Sequence, residues 1–294
     1  MSIASSLWSD VAIQPRERFQ KRLRDRLLSG DPTLVGKIGA NELNLLYWLE
    51  RLVIPSRPFL RRRLHLWNLR SCETNAGLKP RTRASYRQFA QLLRQAALEA
   101  DDLGVWHDDA EILLYRRLSL KAGFYDLFDI CPWFAPADSA WSFALAGRRV
   151  FVVSPFLSSI RAQHARRDLI WRSRPGLLPD FQLSGYQFPY LISRDCSLTW
   201  PNVYQDVLAA IRGSQCDVVL LGCGALGLPL GMEARRLGCQ ALHLGGFLQV
   251  LFGIHGGRFR RDPAYRDLIN EHWISPSARE TPPEATRVED GCYW

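Results

Sequence analysis

Short apolar runs that end in glycine and pass at once into a helical pattern constrain this chain more than any other feature. Asp217-Val218-Val219-Leu220-Leu221 leads into Gly222-Cys223-Gly224-Ala225-Leu226-Gly227. Residues 226–237 then carry a helical period, and Ala241-Leu242-His243-Leu244 is apolar again before Gly245-Gly246. Leu34-Val35-Gly36-Lys37-Ile38-Gly39 repeats the arrangement near the start of the chain, with a helical Leu43–Val53 behind it. A strand with one wet face would alternate apolar and polar residues, whereas a strand covered on both faces reads as a continuous apolar run. Strand and helix in alternation therefore predict an α/β fold with a mainly parallel sheet flanked by helices.

The remaining elements are predicted from the same signals. Phe19, Leu23, Leu27 and Leu28 give residues 16–29 an amphipathic helical face, and Tyr86, Phe89, Leu92, Leu93, Ala96 and Ala97 do so for 83–102. Residues 110–147 predict helical pieces broken at Gly123 and Pro132. Residues 148–153 predict a strand, 157–172 and 201–213 helices, and 187–192 an edge strand because of Pro189. Residues 237–257 lack Asp, Glu, Lys and Arg, yet their glycines divide them into a buried strand, a turn and a short helix rather than a membrane span. This divides the chain into an N-terminal helical extension (1–33), an α/β domain (34–276) and a Pro-rich tail (277–294).

Lys and Arg number 38 against 29 Asp and Glu, a net charge of +9. Residues 51–100 alone hold 11 of the basic residues, among them Arg61-Arg62-Arg63, and only Glu73 and Glu99 against them. Such a field attracts phosphate in a nucleotide, a lipid surface or nucleic acid, or is simply a solvated helix face. No nucleic-acid reader motif accompanies it, so nucleic acid is not expected as a partner. The seven cysteines form no Cys-x-x-Cys pair, and several lie in apolar runs; buried reduced thiols of a cytoplasmic protein are expected, not a zinc site. No secretory leader is evident in the first residues. Asp101-Asp102 and Asp108-Asp109 read as solvated acidic turns, and Trp200, Trp273 and Trp294 as core or rim aromatics.

Candidate chemistry gathers where strands end. Gly222, Gly224 and Gly227 match the spacing and context of the Rossmann-like Gly-x-Gly-x-x-Gly turn, which lets phosphate approach backbone N–H groups at a helix start. The ribose-binding acid that a dinucleotide requires is missing, since the next strand ends in His243-Leu244-Gly245-Gly246. That argues against a nicotinamide or flavin cofactor and for a nucleotide or sugar phosphate; close strand–helix packing is the alternative use of these glycines. His243 at a strand end can hydrogen-bond phosphate or act as an acid, and Gln249, a turn further on, can share its ligand. Phe252–Arg258 forms a second glycine-rich turn that brings in Arg258. Glu42 follows the first strand, beside Gly39 and Lys37, where a carboxylate holds a divalent metal, acts as a base, or only interacts with the helix start.

These segments resemble a family. Residues 217–259, Asn270–Pro283 and the closing Gly291-Cys292-Tyr293-Trp294 look like the C-terminal half of the GT-D-fold glycosyltransferases, in particular the bacterial GT-D-like proteins classed as sugar transferases. Val35–Leu43 is similar to that family's N-terminal site, and Val150–Gln163 to its middle strand. The resemblance spans residues 34–294 and is thin between 55 and 140. It implies sugar transfer from a nucleotide diphosphate, a UDP-sugar first among donors, with help from Mn or Mg, to a glycan or phospholipid-linked acceptor. It implies catalytic roles for Glu42 and His243, a metal on Glu42, and a donor site of Lys37, Gly39, Gly222, Gly224, Gly227, Gly245, Gly246, Gln249 and Arg258. It places the protein in the cytoplasm, with residues 51–94 as a contact to the inner membrane face. The family's Asp-any-Glu motif is altered here: Ala40 stands at the Asp position and Glu42 at the Glu. A non-catalytic nucleotide-sugar binder that has lost its metal site is the second expectation.

Overall fold

The computed structural model describes residues 8–50, 70–136, 138–193 and 196–294. Their strands are β1 (Ile13–Gln14), β2 (Thr33–Lys37), β3 (Asp102–Val105), β4 (Gly123–Asp126), β5 (Arg149–Ser154), β6 (Gln182–Gln187), β7 (Val218–Leu221) and β8 (Gln240–His243). They form one sheet in the order β1-β4-β3-β2-β8-β7-β5-β6, and every neighbouring pair is parallel. The helices are α1 (Arg16–Ser29), α2 (Ala40–Leu49), α3 (Arg83–Glu99), α4 (Asp109–Leu118), α5 (Leu157–His164), α6 (Arg167–Ile170), α7 (Trp200–Ser214), α8 (Gly227–Arg236), α9 (Phe247–Leu251), α10 (Gly257–Arg261) and α11 (Pro263–Arg266). This is the Rossmann-like α/β arrangement expected from the sequence.

Period-2 alternation explains why both faces are apolar. Leu34, Leu103, Val105, Phe151, Val153, Val219, Leu221 and Ala241 enter one core, with residues of α2, α3, α4, α7 and α8. Val35, Val150, Val152, Val218, Leu220 and Leu242 enter the other, with Phe19, Leu23 and Leu27 of α1 and the buried Trp133 and Trp141. The chain leaves β2 toward β3 and β4, and later lays β8, β7, β5 and β6 on the opposite side. The order descends through β4-β3-β2 and again through β8-β7-β5 and turns at β5-β6; open α/β sheets bind ligands beyond the carboxyl ends of their strands.

Several expectations are corrected. The helix expected over 83–102 ends at Glu99, because Asp102–Val105 is a strand; Gly123–Asp126 is another, where helical pieces were expected. The strand expected at 187–192 lies earlier, at Gln182–Gln187, so Pro189 falls outside the ladder. It is still an edge strand. Asp102 is no solvated turn residue: it is buried, accepts 2.9 Å from Gln14 Nε2 and 2.7 Å from Arg26 Nη1, and also pairs with Arg22. Burial raises its carboxyl above the ordinary range even against these partners. Asp101 binds the Leu34 amide at 2.8 Å and Arg235 at 3.2 Å, and Asp108 caps α4 through the Ala110 amide at 2.8 Å.

Both ends join the body. The described part of the N-terminal segment, residues 8–33, supplies β1 and α1 to the sheet and its second core. In the 277–294 segment, Glu280 is buried, accepting from the Ser159 amide at 3.1 Å and Ser277 Oγ at 2.8 Å. The Trp294 carbonyl accepts from Gly257 N–H at 2.8 Å. Trp200 and Trp273 are core residues. Among the described residues, no helix is long and apolar enough to cross a membrane.

Candidate functional site

A cavity of about 540 Å³ opens beyond the carboxyl ends of the strands. Its wall is made where strands stop: Lys37 and Gly39 after β2, Trp106 after β3, Phe128 after β4, Phe156 after β5, Phe188 after β6, Gly222 and Gly224 after β7, and Gly245 and Gly246 after β8. Glu42, His243, Gln249 and Arg258 line it too. Every sequence-predicted site residue except Gly227 therefore reaches one cavity.

The glycines divide by task. Gly224 has φ +59° and nothing but the Ala76 carbonyl, at 3.9 Å, near the place a Cβ would take, so its backbone is open to a ligand. At Gly222 a Cβ would lie 2.7 Å from Leu248 Cδ2, which makes that glycine a packing residue. A Cβ at Gly227 would fall inside the His243 imidazole, and one at Gly36 would lie 2.8 Å from His243 Cβ. Two glycines thus make room for His243, and the third glycine of the fingerprint serves this histidine and not phosphate. At Gly245, with φ +58°, an added Cβ would lie 3.0 Å from Lys37 Cε, and at Gly246 one would lie 3.1 Å from the Tyr293 ring.

His243 is 6% exposed. Desolvation, reinforced by the Lys37 ammonium, pushes its pKa down to about 3. It is neutral near pH 7, which corrects the expected role as an acid, and leaves a hydrogen-bonding imidazole whose buried Nδ1 has no partner among the described residues. Gln249 is also buried; its Nε2 faces the Ile254 and Tyr293 carbonyls at 3.4 and 3.3 Å, and its Oε1 has no partner. Gln249 thus ties the C-terminal segment to the cavity wall.

Two cations rest on aromatic faces. Lys37 Nζ lies 4.7 Å from the Trp106 ring centroid, and Arg258 Cζ lies 5.2 Å from that of Tyr293. Such contacts help to position a cation. Trp106 is itself fixed: its indole N–H donates to the Ile38 carbonyl and its backbone N–H to Glu111 Oε2, both at 2.8 Å. Glu111 also accepts from Tyr115 at 2.8 Å, and burial pushes its carboxyl up to about 7.

Gly39 is the extended N-cap of α2, and Glu42 lies in that helix's first turn. The Glu42 carboxylate, in a residue 8% exposed, fills the space a side chain at Gly39 would need. It is thus held against the helix start, where the dipole favours negative charge. The residues present do not fit the divalent metal that the resemblance implies. Ala40 offers no ligand beside Glu42, Glu42 is folded onto the turn, and Lys37 already brings positive charge into the cavity. Among the described residues, no three His, Cys, Asp or Glu side chains come together in a metal-binding group.

Trp106, Tyr293 and Trp294 line the cavity but were not site expectations. Trp106 closes the short apolar run Leu103-Gly104-Val105, a signal hidden while Asp102, where that strand begins, is read as the end of a helix. Tyr293 and Trp294 carry no local signal, since distant contacts place them. The Arg61–Arg63 cluster lies outside the described residues. Elsewhere in the basic segment, Arg81 lies 3.4 Å from Glu73, Arg94 3.7 Å from Glu50, and Lys79 donates to the Cys196 carbonyl at 3.2 Å. Part of that charge is engaged within the fold. No protein-family model, curated protein or solved structure matches the chain.

Proposed function

We propose that this cavity binds the diphosphate of a nucleotide sugar, a UDP-sugar first among donors, and that the chain is a GT-D-like glycosyltransferase working without a bound metal. Lys37 and Arg258 carry this assignment: both line the cavity that holds the open backbone of Gly224, and each lies on an aromatic ring. Sugar transfer leaves a nucleoside diphosphate with added negative charge, and preorganised cations beside it stabilise that charge where a metal otherwise acts. The neutral His243 imidazole hydrogen-bonds the donor, and Glu42 takes the proton of the acceptor hydroxyl. The acceptor is a glycan or a phospholipid-linked sugar, approached with the help of residues 51–94. Donor turnover in EDTA tests this: release of UDP from a panel of UDP-sugars is expected, and a strict requirement for Mn²⁺ would overturn the metal-free assignment.

Ala40 at the position of the family's acid favours a second function, a nucleotide-sugar binder without turnover. The two separate cleanly. Binding of UDP-sugars with no transfer or hydrolysis for any common donor identifies the binder.

A further inference from the structure

At the opposite, amino-terminal edge of the sheet, Cys239 immediately precedes β8 and Cys216 lies two residues before the neighbouring strand β7. Their Sγ atoms lie 3.8 Å apart. The ladder begins just beyond them: Val218 pairs with Gln240, and Gln240 N–H donates to the Asp217 carbonyl at 3.0 Å. From sulfurs this close, rotation about the Cα–Cβ bonds can reach the bonded distance of about 2.0 Å.

We propose that Cys216 and Cys239 form a reversible dithiol–disulfide site oxidised by hydroperoxides. The local charges suit Cys216 to the attacking role. The Cys239 thiol beside it holds the Cys216 thiol below the ordinary range, and the Arg149 guanidinium lies close enough to act on both groups. Arg149 is held there by Asp217 at 2.6 Å, whose own charge opposes the thiolate. Both residues are buried, at 8% and 7% exposed, so the oxidant must be as small as hydrogen peroxide. The Cys216 thiolate attacks one peroxide oxygen, the O–O bond breaks, and a sulfenic acid and hydroxide result. The Cys239 sulfur then attacks the sulfenic sulfur and releases water. Overall, two thiols and one hydrogen peroxide give one disulfide and two waters. Four other cysteines, at 72, 131, 223 and 292, are buried, and burial raises the thiols of the first three.

The test uses the full chain treated with hydrogen peroxide, then peptide mapping without reduction. A 216–239 cross-linked peptide is expected, reversed by dithiothreitol, together with a rise in the melting temperature because the bridge constrains the unfolded chain. Cys216→Ser and Cys239→Ser, each checked for an unchanged reduced melting curve, should both abolish the cross-link, and Cys196→Ser should not. Oxidation of Cys216 to sulfinic acid beside a free Cys239, a bridge formed through Cys196, or no reaction in the folded chain while the unfolded chain reacts would each overturn the proposal.

Discussion

An added methyl separates the glycines of the 222–227 turn. Gly227→Ala places a Cβ inside the His243 ring and should cost about 1–3 kcal/mol by overpacking, read from denaturant melts. Gly224→Ala meets no neighbour, but its left-handed backbone costs an L-residue about 1–2 kcal/mol, and it alone should weaken UDP binding directly. His243 itself sets a pH signature. Below its ordinary pKa of 6.5 the unfolded chain takes up a proton that the folded site refuses until about pH 3. Its contribution is therefore nil above pH 6.5 and becomes more destabilising on acidification, by about 1.4 kcal/mol per pH unit. Glu111 acts in the opposite sense: the folded chain keeps its proton up to about pH 7, so stability falls as pH rises from 4.5 through 7. The difference between wild type and His243→Asn isolates the histidine. It should be flat above pH 6.5 and shrink below it; a difference independent of pH down to 4 would show that His243 titrates normally. Glu42→Gln should change stability by under ~1 kcal/mol and lower sugar transfer by about 10²-fold or more. Equal turnover of the two proteins would remove Glu42 from the chemistry.

At the scale of elements, α1 is tied to the sheet through one buried carboxylate. Arg22 and Arg26, one turn apart on α1, both reach Asp102 at the start of β3. Replacing both by Met leaves that carboxylate buried without a cation. The cost should be about 2–3 kcal/mol, below the range for fully buried pairs because each guanidinium is about a third exposed. An unchanged denaturation midpoint would show that Gln14 alone satisfies Asp102. The same carboxylate explains what the sequence conceals. β2, β5, β7 and β8 were legible because apolar residues run to a glycine or proline turn and both faces are covered. β3 begins with the acidic pair 101–102, and only a helix 76 and 80 residues earlier makes Asp102 a buried residue. β4 carries Gly123 and Asp126 and depends on β1 and β3 as neighbours, so its period is too short to stand alone. The site follows the same division. Lys37, Glu42, His243 and Arg258 were legible as polar residues beside glycine turns, whereas Tyr293 and Trp294 are held at the cavity by distant contacts, among them those of Gln249, Gly257 and Glu280.

For the whole molecule, the proposed partners follow from charge and from the sheet's polarity. Parallel strands deliver Lys37, the Gly224 turn and the Gly245 turn to one edge, and Arg258 joins them from α10. The excess of basic residues between 51 and 100 adds a field that engaged residues such as Arg81 and Arg94 only partly consume. If Arg61, Arg62 and Arg63 meet an anionic membrane face, sedimentation with phosphatidylserine vesicles should occur at low salt, fall steeply as salt rises, and vanish when all three are neutralised. Vesicles ignored at low salt would confine the function to soluble acceptors. The central claim is that cations of the protein, in place of a metal, receive a nucleoside diphosphate at the carboxyl edge. Calorimetric titration of the full chain with UDP in EDTA tests it most directly, with NAD as the comparison and Gly224→Val and Arg258→Met as variants. UDP should bind without metal, NAD should not, and each variant should weaken UDP by at least about tenfold, or about 1.4 kcal/mol; binding of NAD alone, or of UDP only with Mn²⁺, would contradict it.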